Sequence, residues 1–577
     1  IDVWRQMTQN VTADFSPPGG GTMALTQRKV SSQPSSSSAP SYTSEEDNVT
    51  DRNEDEDNIP LLAAAAEETS STTPVTTANP HPFFRHRPYI IVGGTIVAAI
   101  FLLSLSSRGT TSLPVNLRDD GISRTASVLT PIQTQVVHRH GDRTPITPLA
   151  DESYWSTLLP PDDVLDAIAG RTNVIRSPGV KPHPAGGGAV FGRLTADGLD
   201  QMTTLGRTLR EDVDRLMRFR RGDAVVEKEE DDVAAWLRVA STDFSRTLQS
   251  VQGVLTGLLL PPPPTGGKMA GLRGGRDDVV VDIDARHTAR MIPDPQPRLY
   301  VGQAELEREL TGGARFRSRE EVMRPLAVRV TKMLFDSGVL GDAALKVSFG
   351  VGEDETATAG GPSGNSTDAG SGMKPLAWNQ LAEILKCLER RERLPKGITS
   401  DDLEAVAEHN AWRWFALLGD ERLAPMAIKS LAKKMVLNGA QAISSRESDS
   451  VSLSPPLLHI FSGHDATLIA LMCGFHIERP AVWPEYGSYL KMELLRDDAG
   501  LCGKSTPSAF DGCNPKDKTE GESRYYVLFS LNGEPLRSAF GAPSERADGS
   551  GRYFVPWEDI LKGLDNLERG LPPLAAP

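Results

Sequence analysis

One stretch decides the fold of this chain: an apolar, β-branched lead-in runs into a histidine between two arginines, and a glycine follows. It reads Val136-Val137-His138-Arg139-His140-Gly141-Asp142-Arg143-Thr144-Pro145. The lead-in predicts a buried strand, and Gly141 lets the backbone turn sharply where that strand ends. Two guanidiniums can hold a phosphoryl group through forked, charge-assisted hydrogen bonds while a neutral imidazole attacks the phosphorus. The stretch therefore indicates a phosphate site at a strand end, against the plainer interpretation of a basic strand end with a partly exposed histidine.

A second stretch of this kind follows about 325 residues later. The apolar residues 457–461 predict another buried strand, and His464 and Asp465 come shortly after it, just before a predicted helix over 466–472. Together with residues 139–145, which fit the pattern Arg-His-Gly-x-Arg-x-Pro, this His-Asp pair resembles the histidine acid phosphatases, branch 2 of the histidine phosphatase superfamily. Both motifs in this order are much harder to explain by chance than either alone.

Weaker matches to the same family lie between and after the two motifs. They are Gly192-Arg193-Leu194-Thr195, Ser241-Thr242-Asp243 with Arg246-Thr247, Trp483-Pro484-Glu485-Tyr486-Gly487-Ser488 and Asn532-Gly533-Glu534-Pro535-Leu536. The resemblance covers roughly residues 126–564 and none of the first hundred residues.

The resemblance implies an α/β fold of the histidine-phosphatase and phosphoglycerate-mutase kind over residues 126–570. Its mostly parallel sheet is sandwiched by helices, and a mainly helical subdomain is inserted at about 297–443. The residue pattern agrees, because strands alternate with helices, which predicts βαβ units and a sheet covered on both faces. Within the insertion, helical periodicity is predicted over 318–335, 376–391 and 401–442.

The resemblance also implies a role for each motif residue. His140 is the nucleophile that forms a phosphohistidine, Arg139 and Arg143 hold the phosphate oxygens, His464 adds a hydrogen-bond donor, and Asp465 protonates the leaving group. No metal or other cofactor is implied, because two displacements at one histidine split the hydrolysis into easier steps. An acidic optimum is expected, since Asp465 must carry a proton when the ester bond breaks, unless burial raises its pKa.

One position departs from the family pattern. The family corner Arg-Ser-Thr-Asp-x-x-Arg begins with an arginine that makes a third clamp on the phosphate, whereas this chain has Ala240 there and matches only the second arginine. Arg238 lies two residues earlier on the same side of the strand and is a candidate substitute from about 7 Å back. A clamp of two arginines would otherwise lose about 10²- to 10³-fold in rate. A catalytically weakened, phosphate-binding pseudophosphatase is therefore the competing prediction.

The N-terminal part has a different character. Residues 1–88 predict a disordered cytosolic tail, because their sparse apolar residues cannot offset the entropy of ordering. The 17 uncharged residues from Tyr89 to Leu105, extended to Ser107, approach the ~20 that cross a bilayer, so 89–107 predict a transmembrane signal anchor. A buried core helix is the alternative. Met23 is the expected start of the native chain.

The orientation of this anchor follows from its flanking charges. Arg85, His86 and Arg87 precede the span and only Arg108 follows closely, so the positive-inside bias places the tail in the cytosol. A stalk over 108–125 and the catalytic domain are then lumenal. We therefore predict a single-pass type II membrane protein.

The tail carries a candidate sorting signal. Asp57 followed by Leu61 and Leu62 resembles the acidic dileucine signals that cytosolic adaptors bind, with an ordinary acidic linker as the alternative. It predicts delivery to the endosome, lysosome or vacuole. The type II anchor equally resembles secretory-pathway members of the family that act on a sugar phosphate of glycans, which suits the Golgi. The expected partner is a small phosphomonoester, and a homodimer is left open.

Charge and cysteine content bound the other possibilities. The formal net charge of −14 predicts no nucleic-acid partner. The four cysteines follow the span, which predicts the disulfides Cys502–Cys513 and Cys387–Cys473, with buried thiols as the alternative. Their spacing does not suggest zinc. Asn365-Ser366-Thr367 is a candidate glycosylation site in a Gly/Ser/Thr-rich insertion.

Overall fold

The computed structural model describes residues 129–178, 190–221, 233–260, 280–286, 291, 300–340, 375–447, 455–478, 483–498, 524–542, 551–569 and 571–572. The predicted tail, anchor and stalk, the glycosylation triplet, and Cys502 with Cys513 lie outside these ranges. Within the ranges, the helices lack the combination of length and apolarity that a membrane crossing requires.

The described strands form one sheet. They are β1 (Thr130–Arg139), β2 (Thr172–Ile175), β3 (Leu237–Ser241), β4 (Val281–Asp284), β5 (Leu458–Gly463), β6 (Tyr489–Arg496), β7 (Tyr525–Leu531), β8 (Glu534–Leu536) and β9 (Phe554–Pro556). Their order is β2-β4-β3-β5-β1-β6-β7-β8, and β9 also pairs with β7. The first five strands run parallel, whereas β6 to β9 add to them in antiparallel fashion.

Helices connect and cover these strands. They are α1 (Glu152–Ser156), α2 (Asp162–Ala169), α3 (Ala196–Arg221), α4 (Val233–Trp236), α5 (Ser245–Leu259), α6 (Gln303–Thr311), α7 (Ala314–Asp336), α8 (Trp378–Glu389), α9 (Ser400–Leu418), α10 (Leu423–Glu447), α11 (Asp465–Gly474) and α12 (Trp557–Glu568). The predicted α/β fold, with a mostly parallel sheet between helices, is confirmed.

Both faces of the central strands are buried, as parallel strands require. Because side chains alternate along a strand, Val136 and Ile460 pack on one face with α3 and α5. Val137 and Phe461 pack on the other face, in a cluster that includes side chains of α10, α11 and α12. The sheet therefore forms the middle layer of the domain.

The described chain between β4 and β5 is mainly helical. The periodic run predicted over 401–442 is two helices, α9 and α10, because α9 ends at Leu418 and Gly419 caps it. Helices α7, α8 and α9 share a hydrophobic cluster that includes Leu334, Leu381 and Val406, separate from the two clusters on the sheet. This third cluster holds α8 in place, and Glu383 on α8 contacts Arg143 just after the end of β1.

The predicted disulfide between Cys387 and Cys473 is wrong. Cys387 is a free, fully buried thiol on α8. Cys473 lies on α11, in the cluster against the sheet rather than in the helical cluster that holds Cys387. Sequence spacing could not show this, because it does not reveal which core each helix joins.

Helices α3 and α5 approach each other through glycines. A Cβ at Gly257 would lie 1.9 Å from the Thr203 carbonyl oxygen, and one at Gly206 would lie 2.0 Å from that of Val254. Contact at these distances involves backbone on both helices, so neither side can yield by changing a rotamer. The close packing of the two helices that cover one face of the sheet therefore requires glycine, which has no side chain, at positions 206 and 257.

We expect Gly257→Ala to lower the free energy of unfolding by roughly 1–3 kcal/mol or more, because the methyl group forces the helices apart. Thermal or urea unfolding of the purified protein would measure it. Gly170→Ala is the matched control, since the nearest atom to its Cβ is 3.3 Å away. Equal stability of the two variants would contradict the packing described here.

Candidate active site

The two motifs meet because β1 and β5 are parallel neighbours. Arg139 is the register partner of Gly463, so both strands end at the same level of the sheet. The His140 amide donates to the Gly463 carbonyl at 3.1 Å, and the ring centroids of His140 and His464 are 5.8 Å apart. The structure therefore brings together His140, Arg139, Arg143, His464 and Asp465 at the carboxyl ends of the strands, where α/β sheets bind ligands.

His140 is buried and has a defined tautomer. Its Nδ1 lies 2.9 Å from the Gly141 carbonyl oxygen, which can only accept, so Nδ1 carries the proton and Nε2 keeps its lone pair. Burial holds the pKa of His140 well below its ordinary value, and the charges of Arg139, Arg246 and Arg143 lower that pKa further. The imidazole is therefore neutral and nucleophilic even in mildly acidic solution.

Arg139 is fixed on three sides. Its guanidinium forms an ion pair with Asp465 at 2.8 Å and donates to the Pro484 carbonyl at 2.6 Å. The ring of Tyr486 lies over it, 4.1 Å from the guanidinium carbon. Cation–π contact and hydrogen bonding together set the plane of a buried guanidinium. Arg139 therefore stands in a prepared orientation beside His140.

Arg143 is held from the helical part of the fold. Its guanidinium donates to Glu383 on α8 at 2.9 Å. The same carboxylate accepts from the Ile146 amide and, at 3.4 Å, from the Thr147 hydroxyl. Burial lowers the pKa of Arg143, but the neighbouring Tyr486 and Glu383 raise it above its ordinary value, so the group is a permanent cation.

Asp142 lies between the two arginines of the motif and is also paired with the end of α8. Here the motif residue is the anion and the partners beside the helix are the cations. The Asp142 carboxylate is fully buried, accepts from the Thr195 hydroxyl at 2.7 Å, and is paired with Arg390 at 3.0 Å and with Arg391. Helix α8 and the residues just after it thus contact two consecutive motif residues with complementary charges. This double contact fixes the loop that follows β1.

Arg246 is a third guanidinium at the site that the predicted set lacked. It is buried at the start of α5, stacks 4.7 Å over the ring of Phe244, and its charge lowers the pKa of both His140 and His464. The sequence carried a signal for it, because Arg246 and Thr247 match the family corner. Arg246 therefore adds a buried positive charge near His140 and His464 from a position other than 240.

The structure corrects the expectation for Arg238. Its side chain is exposed, and its guanidinium donates to the carbonyls of Ala234 and Leu237 instead of reaching the site. In the sheet, Arg238 is level with His459 and hence with Gln135, four residues before Arg139. That offset is roughly 13 Å at ~3.3 Å per residue, too far for the substitute role.

His464 belongs to a directed hydrogen-bond chain. The Thr247 hydroxyl has the carbonyls of Thr242 and Phe244 as acceptors, each at 2.9 Å, and the Thr242 hydroxyl donates to Thr247 at 2.8 Å. The His464 Nε2, 3.1 Å from the Thr242 hydroxyl oxygen, must then be the donor in that contact. The pKa of His464 is lowered to about 3, mainly by burial and then by the charge of Arg246.

Asp465 begins α11 and is tied at both oxygens. Oδ1 accepts from the Ala466 amide at 2.8 Å, while Oδ2 accepts from Arg139 and, at 3.1 Å, from the indole nitrogen of Trp483. Burial raises the pKa of Asp465, but the charges of Arg139 and His464 outweigh burial and hold that pKa below its ordinary value. In this state Asp465 is a carboxylate.

Several side chains of the site could not be found from the motifs. Glu383 sits inside an ordinary helical pattern, and nothing in its neighbours marks it. Trp483 and Tyr486 lay in a stretch that matched the family without an assigned role. A cavity of about 330 Å³, lined by residues such as Arg210, Trp236 and Gln252, is bordered by none of the five motif side chains of the site. Among the described side chains, no group of three or more His, Cys, Asp or Glu is placed to hold a metal.

We expect Arg246→Ala to weaken the binding of inorganic phosphate by about 10- to 100-fold, the loss of one hydrogen-bonding cation. Arg238→Ala, which removes an exposed arginine four residues from the end of the neighbouring strand, should leave that affinity within about twofold. Calorimetric titration of both variants would measure this. The reverse order of effects would show that Arg238, and not Arg246, completes the clamp.

Comparison with known proteins agrees with this geometry. Residues 132–285, which include most of β1, the first motif and Arg246, match the model of the histidine phosphatase superfamily (branch 2). Counting factor 60 of Dictyostelium discoideum is 23% identical over 396 residues, 64% of this chain and 77% of that protein.

Solved structures were also compared. A phytase from Citrobacter braakii is 12% identical, with a TM-score of 0.43, and the match covers 76% of this chain and 98% of the phytase. A multiple inositol polyphosphate phosphatase from Bifidobacterium longum, in complex with phosphate, is 13% identical, with a TM-score of 0.40, and the match covers 77% of this chain and 94% of that one. The chain is therefore similar to the histidine phosphatase superfamily (branch 2) over residues 132–285, the part that carries the first strand-end motif.

Proposed function

We propose that this protein hydrolyses phosphomonoesters through a phosphohistidine formed at His140. One observation carries the proposal: a neutral imidazole with a free Nε2 lone pair lies among three buried guanidiniums, those of Arg139, Arg143 and Arg246. Fixed cations in a site shielded from water stabilise the charge that moves during phosphoryl transfer, usually the largest catalytic contribution.

Two displacements complete the reaction. In the first, the His140 Nε2 lone pair forms a bond to phosphorus, the ester P–O bond breaks, and the leaving oxygen takes the proton of Asp465. In the second, water attacks the phosphohistidine, the P–N bond breaks, and the Asp465 carboxylate accepts the proton of that water. Free phosphate leaves, and His140 returns to its neutral form. His464 lies beside His140 and directly before Asp465, so its imidazole is a further polar group at the site.

The site favours acidic solution, which supports an acid phosphatase in particular. Asp465 must be protonated for the first step, and its pKa is lowered in the free site, so the protonated fraction grows as the pH falls. The pKa of His140 is lowered as well, so the nucleophile stays neutral over the same range. A bound phosphate that attracts Arg139 weakens the ion pair with Asp465 and raises the pKa of Asp465 in the complex.

The pseudophosphatase alternative rests on Ala240, whereas the buried guanidinium of Arg246, whose charge acts on His140 and His464, supports the catalytic proposal. The secretory sugar-phosphate phosphatase remains the second candidate, and it rests on the predicted type II anchor at 89–107. Assaying phosphosugars, inositol phosphates, lysophosphatidate and an aryl phosphate across pH would separate the substrate classes. Strong preference for one phosphosugar would favour the second candidate.

We further propose that the catalytic domain is lumenal, held by the anchor at 89–107 and sorted through Asp57, Leu61 and Leu62. The supporting features are the uncharged run, the basic residues before it and the acidic dileucine pattern. An acidic compartment would match the pH preference of the site. This location is proposed from the sequence pattern.

The mechanism predicts that alkaline quenching during turnover of a ³²P-labelled ester traps one phosphoryl group on the protein. The label should be acid-labile and alkali-stable, as expected for phosphohistidine, and absent in His140→Ala. His476→Asn is the control, since His476 is exposed and its φ of 46° suits asparagine. Full activity of a folded His140→Ala variant, or turnover that requires a divalent ion, would contradict the mechanism.

The location predicts that protease added to sealed vesicles digests residues before the span and spares the phosphatase domain. Replacing Leu61 and Leu62 with alanine should move the protein from endosomes, lysosomes or vacuoles to the cell surface. Ser35→Ala, in the same tail, is the control. Digestion of the phosphatase domain in sealed vesicles would contradict the orientation, and unchanged sorting would contradict the signal.

A further inference from the structure

Residues 483–488, which we call the tryptophan loop, contact the nucleophile, the clamp and the acid at once. The Gly487 amide donates to the His140 carbonyl at 3.0 Å, and the Ser488 carbonyl accepts from the Arg139 amide at 2.8 Å. Pro484 and Tyr486 hold the Arg139 guanidinium, as described above. Trp483 completes the set with its hydrogen bond to Asp465. The loop is therefore part of the catalytic geometry and not merely a connection to β6.

We infer that Trp483 is a positioning residue for the acid: its indole N–H holds the Asp465 carboxyl group toward the leaving oxygen while Arg139 turns to the phosphate. The inference rests on the proposed function, because it assigns Asp465 the protonation step. It goes beyond the motif residues, since Trp483 lies outside both motifs and no role follows from the sequence match.

Asp465 Oδ2 accepts from two side-chain donors, the Arg139 guanidinium and the Trp483 indole N–H. Arg139 is a cation and is drawn to any phosphate that enters the clamp, so its bond to Oδ2 weakens when substrate binds. The Trp483 indole N–H is an uncharged group that can donate a hydrogen bond but cannot accept one. A phosphate therefore attracts it far less strongly than it attracts the Arg139 guanidinium. Oδ1 is occupied by the Ala466 amide. Trp483 is thus the side-chain partner that stays with Oδ2 through the first displacement.

Trp483 is itself supported. Its ring meets that of Trp414 on α9 in an edge-to-face contact, with centroids 5.9 Å apart. Such a contact is worth about 0.5–1.5 kcal/mol and fixes the ring plane, and with it the direction of the N–H group. Both rings are partly buried, and both pack against the hydrophobic cluster on this face of the sheet. The helical part of the fold therefore orients the acid through Trp414 and Trp483.

The charges that face Asp465 come from several elements. Arg139 lies at the end of β1, Arg143 in the loop after it, and His464 directly before α11, while Arg246 at the start of α5 acts on His464. These groups stay in place when Trp483 is replaced. Loss of the indole N–H removes one stabilising bond to the carboxylate, so the pKa of Asp465 should rise without it.

The effect should depend on the leaving group. An alkoxide must be protonated as it departs, so hydrolysis of an alkyl phosphate needs a well-placed acid. A nitrophenolate departs without a proton, so hydrolysis of nitrophenyl phosphate does not need one. A residue that only supports folding would slow both substrates by the same factor. A residue that positions the acid slows the alkyl ester alone.

The test compares Trp483→Phe with Trp412→Phe in the full chain, using glycerol phosphate and nitrophenyl phosphate across pH. We expect Trp483→Phe to lower kcat about tenfold for glycerol phosphate, part of the ~10²- to 10⁴-fold that a positioned general acid contributes. For nitrophenyl phosphate the change should stay within about twofold on the same grounds. The alkaline limb of the kcat profile for glycerol phosphate should move to higher pH.

Trp412→Phe is the matched control, because Trp412 is a partly buried tryptophan on the same helix, α9, and its ring contacts Phe316 and His409. It should leave the ratio of the two kcat values unchanged. An equal loss with both substrates in Trp483→Phe, or an unmoved alkaline limb, would overturn the positioning role even where the wild type traps phosphohistidine. Absence of that trap in the wild type would instead overturn the proposed function. Thermal unfolding of each variant separates these outcomes from simple loss of folding.

Discussion

The parallel pairing of β1 with β5 is the constraint on which the site depends. Because Arg139 and Gly463 are register partners, the chain leaves both strands at one level, and His140 meets His464 there. A shift by one residue would turn every side chain of a strand to the opposite face and separate the two motifs. The register is held by strand cores packed on both faces, so the hydrophobic layers of the domain align the catalytic groups.

Buried charge is the second constraint, and the fold meets it by matching each motif charge with an opposite one. The pairs are Arg139 with Asp465, Arg143 with Glu383, and Asp142 with Arg390 and Arg391. Removing one partner of a buried pair leaves an uncompensated charge and costs about 3–5 kcal/mol. Two of these sets reach from the motif to α8 and its end, so the helical part of the fold is electrostatically tied to the site. Under the proposed function, a substrate phosphate would compete with Asp465 and Glu383 for the guanidiniums of Arg139 and Arg143.

Much of the fold and part of the site followed from the sequence. Residues 136–143 and 457–465 carry their own signal, because a buried strand and a polar end are local patterns. The predictions that were wrong or absent concern which residues lie close together in space. Arg238 looked close to the site along its strand, but the pairing of β3 with β5 placed it level with Gln135. Cys387 and Cys473 looked like a pair, but their helices belong to different cores. Glu383 left no trace in the motifs, because its partner Arg143 is 240 residues away.

By itself, the sequence determined the chemical groups: a histidine between arginines, a second histidine beside a carboxylate, and apolar runs that make each motif the end of a buried strand. Those features are encoded within a few consecutive residues. Tertiary structure alone decided that Arg238 stays away from the site, which carboxylates pair with Arg139 and Arg143, and that the indole of Trp483 reaches Asp465. These contacts join residues far apart in the chain, and only strand register and helix packing fix the distances between them.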